Sequence, residues 1–114
     1  MNWYVAKIIF RIVSVSPDDH SQFDEHLRLI EADNFEEALL KARMIGIQEE
    51  DPIEGHQGRS RWEFINVPEL VPVASLAHGT ELFSKVKEVN EAESYIRHIH
   101  KRAAVMHMKG AATT

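Results

Sequence analysis

The stretch Trp3-Tyr4-Val5-Ala6-Lys7-Ile8-Ile9-Phe10-Arg11-Ile12-Val13-Ser14-Val15 decides the fold of this 114-residue chain. Its even positions Tyr4, Ala6, Ile8, Phe10 and Ile12 form an apolar face at a period of two, the spacing of a β-strand. Its odd positions Trp3, Val5, Lys7, Ile9, Arg11 and Val13 are mixed. A strand that is apolar on one face and half apolar on the other belongs inside a sheet, with cover on both sides.

Working outward, the turn chemistry of Ser16-Pro17-Asp18-Asp19-His20-Ser21 ends that strand. A second strand follows over Phe23–Ala32, with Phe23, Leu27 and Leu29 on one face and Asp24, His26 and Arg28 on the other. The short polar loop between the two strands predicts an antiparallel hairpin. Asp33-Asn34 then caps a helix, with Glu36 or Glu37 completing a capping-box-like arrangement. Its apolar positions are Phe35, Ala38, Leu39, Ala42 and Ile45, and Gly46 is placed to end it in the left-handed conformation.

Residues 48–60 are polar and glycine-punctuated and read as a loop. A third strand is expected over Arg61–Val67, after which Pro68 and Pro72 confine residues 69–76 to an edge, a bulge or a bent strand. His78-Gly79-Thr80 is a turn, and Glu81–Val89 alternates like a fourth strand. Asn90 and Glu93 open a last helix with the stripe Tyr95, Ile96, Ile99, Ala103 and Met106, its acids early and its bases late, as the helix dipole prefers.

The expected fold is therefore α+β: a four-stranded, mainly antiparallel sheet in β-β-α-β-β-α order, one helix packed on the sheet, and a C-terminal helix. The expected spatial strand order is 2-1-3-4. The expected core is Tyr4, Ile8, Phe10, Leu27, Leu29, Leu39, Ala42, Ile45, Phe64 and Leu82. Residues 1–109 read as a single domain and 110–114 as a disordered tail.

Composition narrows the function classes. The chain is 44% hydrophobic and 27% charged, close to the globular average. It has no cysteine, which excludes disulfides, thiolate catalysis and cysteine zinc sites. No apolar run approaches the ~20 residues needed to span a bilayer, and the first 16 residues lack a signal-peptide layout. The chain reads as soluble and cytoplasmic. Residues 1–72 hold 14 acidic and 7 basic side chains, and residues 73–114 hold 4 and 6, giving −5 overall. That balance argues against nucleic acid as a partner, since the basic patch from Arg97 to Lys109 is small.

Seven histidines invite a metal hypothesis, but His98, His100 and His107 on the last helix include no pair at i, i+3 or i, i+4. No metal ligand or cofactor is assigned. Ser84 lacks a nucleophile elbow, and the loop 55–60 lacks the phosphate-loop spacing. No catalytic residue is assigned, although Arg61, His78 and Glu81 outline one pocket for a small enzyme or ligand-binding domain.

With these elements placed, four stretches carry a resemblance. They are Trp3-Tyr4 with Lys7 and Phe10, Phe35-Glu36-Glu37-Ala38, Trp62-Glu63-Phe64-Ile65, and Gly79-Thr80-Glu81-Leu82-Phe83-Ser84. In this order and spacing the chain resembles the bacterial domain of unknown function 4288 family. The resemblance implies a small stand-alone α+β protein and supplies no activity, cofactor or catalytic residue.

An acidic surface without a chemical site suits a non-catalytic protein that works by protein–protein contact, such as an immunity- or antitoxin-like inhibitor. Homodimerisation is expected as well. The face of the first strand carrying Trp3, Val5 and Ile9 needs cover, as does the helical stripe with Tyr95, Ile99 and Met106. Docking in cis and docking across a two-fold axis are both open to that stripe.

Overall fold

The computed structural model describes residues 1–14, 21–50 and 60–113. The elements run β1 (Asn2–Ser14), β2 (Gln22–Ala32), α1 (Phe35–Gln48), β3 (Ser60–Val73) and α2 (Ala92–Thr113). The chain divides into two units, Met1–Ser84 and Lys85–Thr114.

The first unit is a three-stranded antiparallel sheet in the order β2-β1-β3, with α1 on one face. The long first strand is central, as its two-sided apolarity requires. Its even residues Tyr4, Ala6, Ile8 and Phe10 are buried against Ile30 and Ala32 of β2 and Ala38 and Ala42 of α1. Ile45, Trp62, Phe64, Val67 and Leu70 close the edges of this core.

The helix begins where its capping chemistry sits. Asn34 has extended backbone, and its Oδ1 accepts from the Glu37 N–H at 2.8 Å. Glu37 reaches back to accept from the Asp33 N–H at 3.2 Å, and Lys41 holds the same carboxylate at 3.1 Å. Gly46, expected to end the helix, instead lies buried within it, and α1 continues to Gln48. A Cβ at Gly46 would stand 2.4 Å from the Phe64 ring, so this glycine serves a close approach between helix and strand.

The four-stranded expectation is corrected to three strands, in β-β-α-β-α order. Residues 81–89 form no strand. The third strand runs on through both prolines to Val73 as an edge strand, paired with β1 except at its bulges. Pairing passes from Lys7↔Glu69 to Ile9↔Asn66 and then to Phe10↔Phe64, so Val67-Pro68 and then Ile65 are taken up as bulges. The outer edge of β3 is therefore irregular, and Pro68 and Pro72 have no N–H to offer a fourth strand. Leu82, expected in the core on that strand, is 51% exposed.

A second correction concerns β2. The hairpin register sets Ile30 opposite Tyr4, Arg28 opposite Ala6 and His26 opposite Ile8. Even positions of both strands thus share the helix side, and Leu27 and Leu29 fall on the outer face, 57% and 47% exposed. Ile30 and Ala32 hold the core positions beneath α1, and the register follows them.

Beyond Val73, Gly79 takes φ +84° in the expected turn, which the Thr80 N–H closes on the Ala77 carbonyl at 3.1 Å. The second unit contains α2, which runs through Gly110 to Thr113.

Candidate interaction surface

Asp24, His26 and Arg28, on the helix side of β2, bond to one another and to the end of α1. His26 Nε2 lies 2.9 Å from Asp24 Oδ2, and Nδ1 lies 3.3 Å from the Arg28 guanidinium. A guanidinium only donates, so Nδ1 accepts and Nε2 carries the proton given to Asp24. The imidazole also sits 4.8 Å from the Phe10 ring and edge-on to Trp62 at 5.5 Å. Arg28 continues to Glu49, the C-cap residue of α1, at 3.2 Å, and Glu50 accepts from the Phe64 N–H at 3.1 Å. Both ring nitrogens of His26 are spent on neighbours, so this cluster extends the core laterally and holds β2 to the helix end.

The outer face differs. At its centre Lys7 is pinned between Glu69 at 3.1 Å and Glu25 at 3.6 Å, with the Phe83 ring centroid 5.1 Å from its Nζ. The Glu69 carboxylate, at hydrogen-bonding distance, is the main reason the Lys7 ammonium titrates above its ordinary value. Partial burial opposes this, and Glu25 adds to it. Val5 and Val73 are buried on this side, and Trp3 and Ile9 are half-buried.

On β2 the same face is open. Phe23, Leu27 and Leu29 are 55%, 57% and 47% exposed along an edge strand. Sequence reasoning put Leu27 and Leu29 in the core because alternation alone does not say which face is inward. The counter-signal was the apolar pair Ile30 and Ala32 on the opposite parity, next to the helix cap.

Of the residues expected to meet a partner, Trp3, Val5 and Ile9 do share the outer face of β1. Tyr95, Ile99 and Met106 belong to the second unit. There Ile99 and Met106 are exposed, and the Lys87 ammonium lies 5.0 Å from the centroid of the half-buried Tyr95 ring. In the same unit His98, Lys101, Arg102 and Lys109 share a shallow groove with Val105 and Met106. Arg61 is the second residue of β3, opposite Val13, His78 lies in the turn after β3, and Glu81 is exposed beyond it. No hydrogen bond or ion pair among the described residues joins these three. Nor do the described residues include a group of three His, Asp or Glu placed to hold a metal ion.

The family model described as domain of unknown function 4288 matches residues 3–84, well over half of the chain. The chain belongs to the domain of unknown function 4288 family. No curated protein and no solved structure matches it. The match to domain of unknown function 4288 coincides with the first unit and stops before α2. Inside it, Tyr4 and Phe10 are core, Lys7 and Phe83 meet on the outer face, and Phe64 fills the space left by Gly46. No helix among the described residues is long and apolar enough to cross a membrane.

Proposed function

We propose that this protein is a non-catalytic, cytoplasmic interaction protein that acts through the outer face of its sheet. The observation that carries the reading is the inverted use of β2. Asp24, His26 and Arg28 are satisfied on the helix side, while Phe23, Leu27 and Leu29 are left in solvent on a sheet edge. Exposed apolar side chains aligned along an edge strand favour association with another chain.

The acidic character of residues 1–72 adds selectivity for a basic partner around that apolar strip. In a bacterial setting this describes an immunity- or antitoxin-like inhibitor that masks a basic protein with its acidic side chains. The same strip also supports a homodimer.

The test is a pull-down from native cells at low and high salt, with the unaltered chain and with Leu27→Lys. A stoichiometric protein partner, weakened by salt and lost with Leu27→Lys, is the expected result. A co-purifying metabolite or metal, with no protein retained, contradicts the reading.

A further inference from the structure

We infer that β2 pairs with β2 of a second copy of this chain, antiparallel about a two-fold axis through His26, making one continuous six-stranded sheet from two three-stranded ones. The inference rests on the reading of the outer face as a contact surface and names the partner and the geometry.

The two edges of the sheet are not alike. The free side of β3 carries two prolines and two bulges, devices that prevent strand addition. The β2 edge has neither: it holds no proline and pairs with β1 from Gln22 to Ala32 without a register shift. A regular edge strand presents a row of unmet N–H and C=O groups, which a second strand satisfies.

The side chains then select a register. A two-fold axis normal to the sheet must pass through a residue, because directly opposed residues share a face. Centred on His26, Asp24 faces Arg28 of the second copy, Phe23 faces its Leu29, and Glu25 faces its Leu27. Opposite charges meet on the helix side, and on the outer face Phe23 meets Leu29 while the Glu25 stem lies beside Leu27. Centring on Glu25 opposes that carboxylate to itself. Centring on Arg28 opposes two guanidiniums and sets Glu25 against Glu31. Centring on Leu27 puts Asp24 against Ile30 and Phe23 against Glu31. The favoured register uses residues 22–30 and leaves the Glu31 carbonyl to Lys41 Nζ, which already holds it at 2.7 Å.

The chain has no cysteine, so introduced thiols report the register directly. The experiment oxidises Glu25→Cys, His26→Cys and Leu27→Cys single variants, and the Glu25→Cys/Leu27→Cys double variant, under mild conditions. Light scattering on the unaltered full chain accompanies it. The expected result is a dimer mass for the unaltered chain, with covalent dimers from His26→Cys and from the double variant but not from either of the other single variants. The double variant alters only exposed positions, so it keeps the test open should His26→Cys fail to fold. A chain that is monomeric at every concentration overturns the inference, as does preferential cross-linking of the Glu25→Cys or Leu27→Cys single variants. A monomer that still captures a protein through Leu27 removes self-pairing and leaves the contact function standing.

Discussion

The Cβ that Gly46 lacks would lie 2.4 Å from Cδ1 of Phe64, inside any tolerable van der Waals distance. Phe64 is itself packed against Phe10, with ring centroids 6.2 Å apart, so it has little freedom to retreat. Gly46→Ala should therefore destabilise the protein by about 1–3 kcal/mol, although alanine is the better helix former by ~1 kcal/mol. Urea unfolding measures this, and Phe64→Leu in the same chain should recover part of the loss. A more stable Gly46→Ala variant would show that helix and strand are not in contact there.

Burial separates two side chains that the alternating pattern treated alike. Ile8 is fully buried, and Ile8→Ala should cost about 2–5 kcal/mol. Leu82 is 51% exposed outside the sheet, and Leu82→Ala should change stability by less than about 0.5 kcal/mol. Equal losses in denaturant unfolding would reinstate a strand at residues 81–89.

The Lys7 clamp has a signature at high pH. Its pKa is raised from an ordinary 10.5 by Glu69, so its contribution is fully present below that value. It is lost as pH rises through the higher folded-state value. Stability measured across this alkaline range should fall more steeply in the unaltered chain than in Lys7→Met. Parallel pH profiles would mean that the ion pair does not act on folding.

The helix cap has the opposite signature. Lys41 first, and then the Asp33 N–H, hold the Glu37 carboxyl below its ordinary 4.5. That contribution is present above 4.5 and lost as pH falls through the lower folded-state value. Glu37→Gln should flatten this part of the acid profile, while Asn34→Ala should cost about 1 kcal/mol at neutral pH. Thermal or denaturant unfolding at stepped pH reads both.

Much of the fold was legible where one local signal dominated. The even face of β1, the hairpin, the Asn34–Glu37 cap and the glycine turn at Gly79 all appear as their residues imply. The third strand was not legible as one continuous element, because its bulges break the period: its inward side chains run Trp62, Phe64, Val67 and Leu70. That spacing obscures strand alternation, although the prolines correctly placed the continuation on an edge or a bulge. The apparent fourth strand alternated correctly, but the β3 edge it was expected to join carries prolines and bulges. The contact surface was half legible. Trp3, Val5 and Ile9 were placed on the outer face of β1, but the parity of β2 depended on which apolar pair α1 would cover. Only the packed helix decides that.

The most direct test is hydrogen exchange of the intact chain at rising protein concentration. Pairing of β2 with a second copy predicts that protection of edge-facing amides within residues 22–30 increases with concentration, while β3 protection over residues 60–73 stays constant. Protection of β2 that does not depend on concentration, or that rises equally along β3, would contradict it.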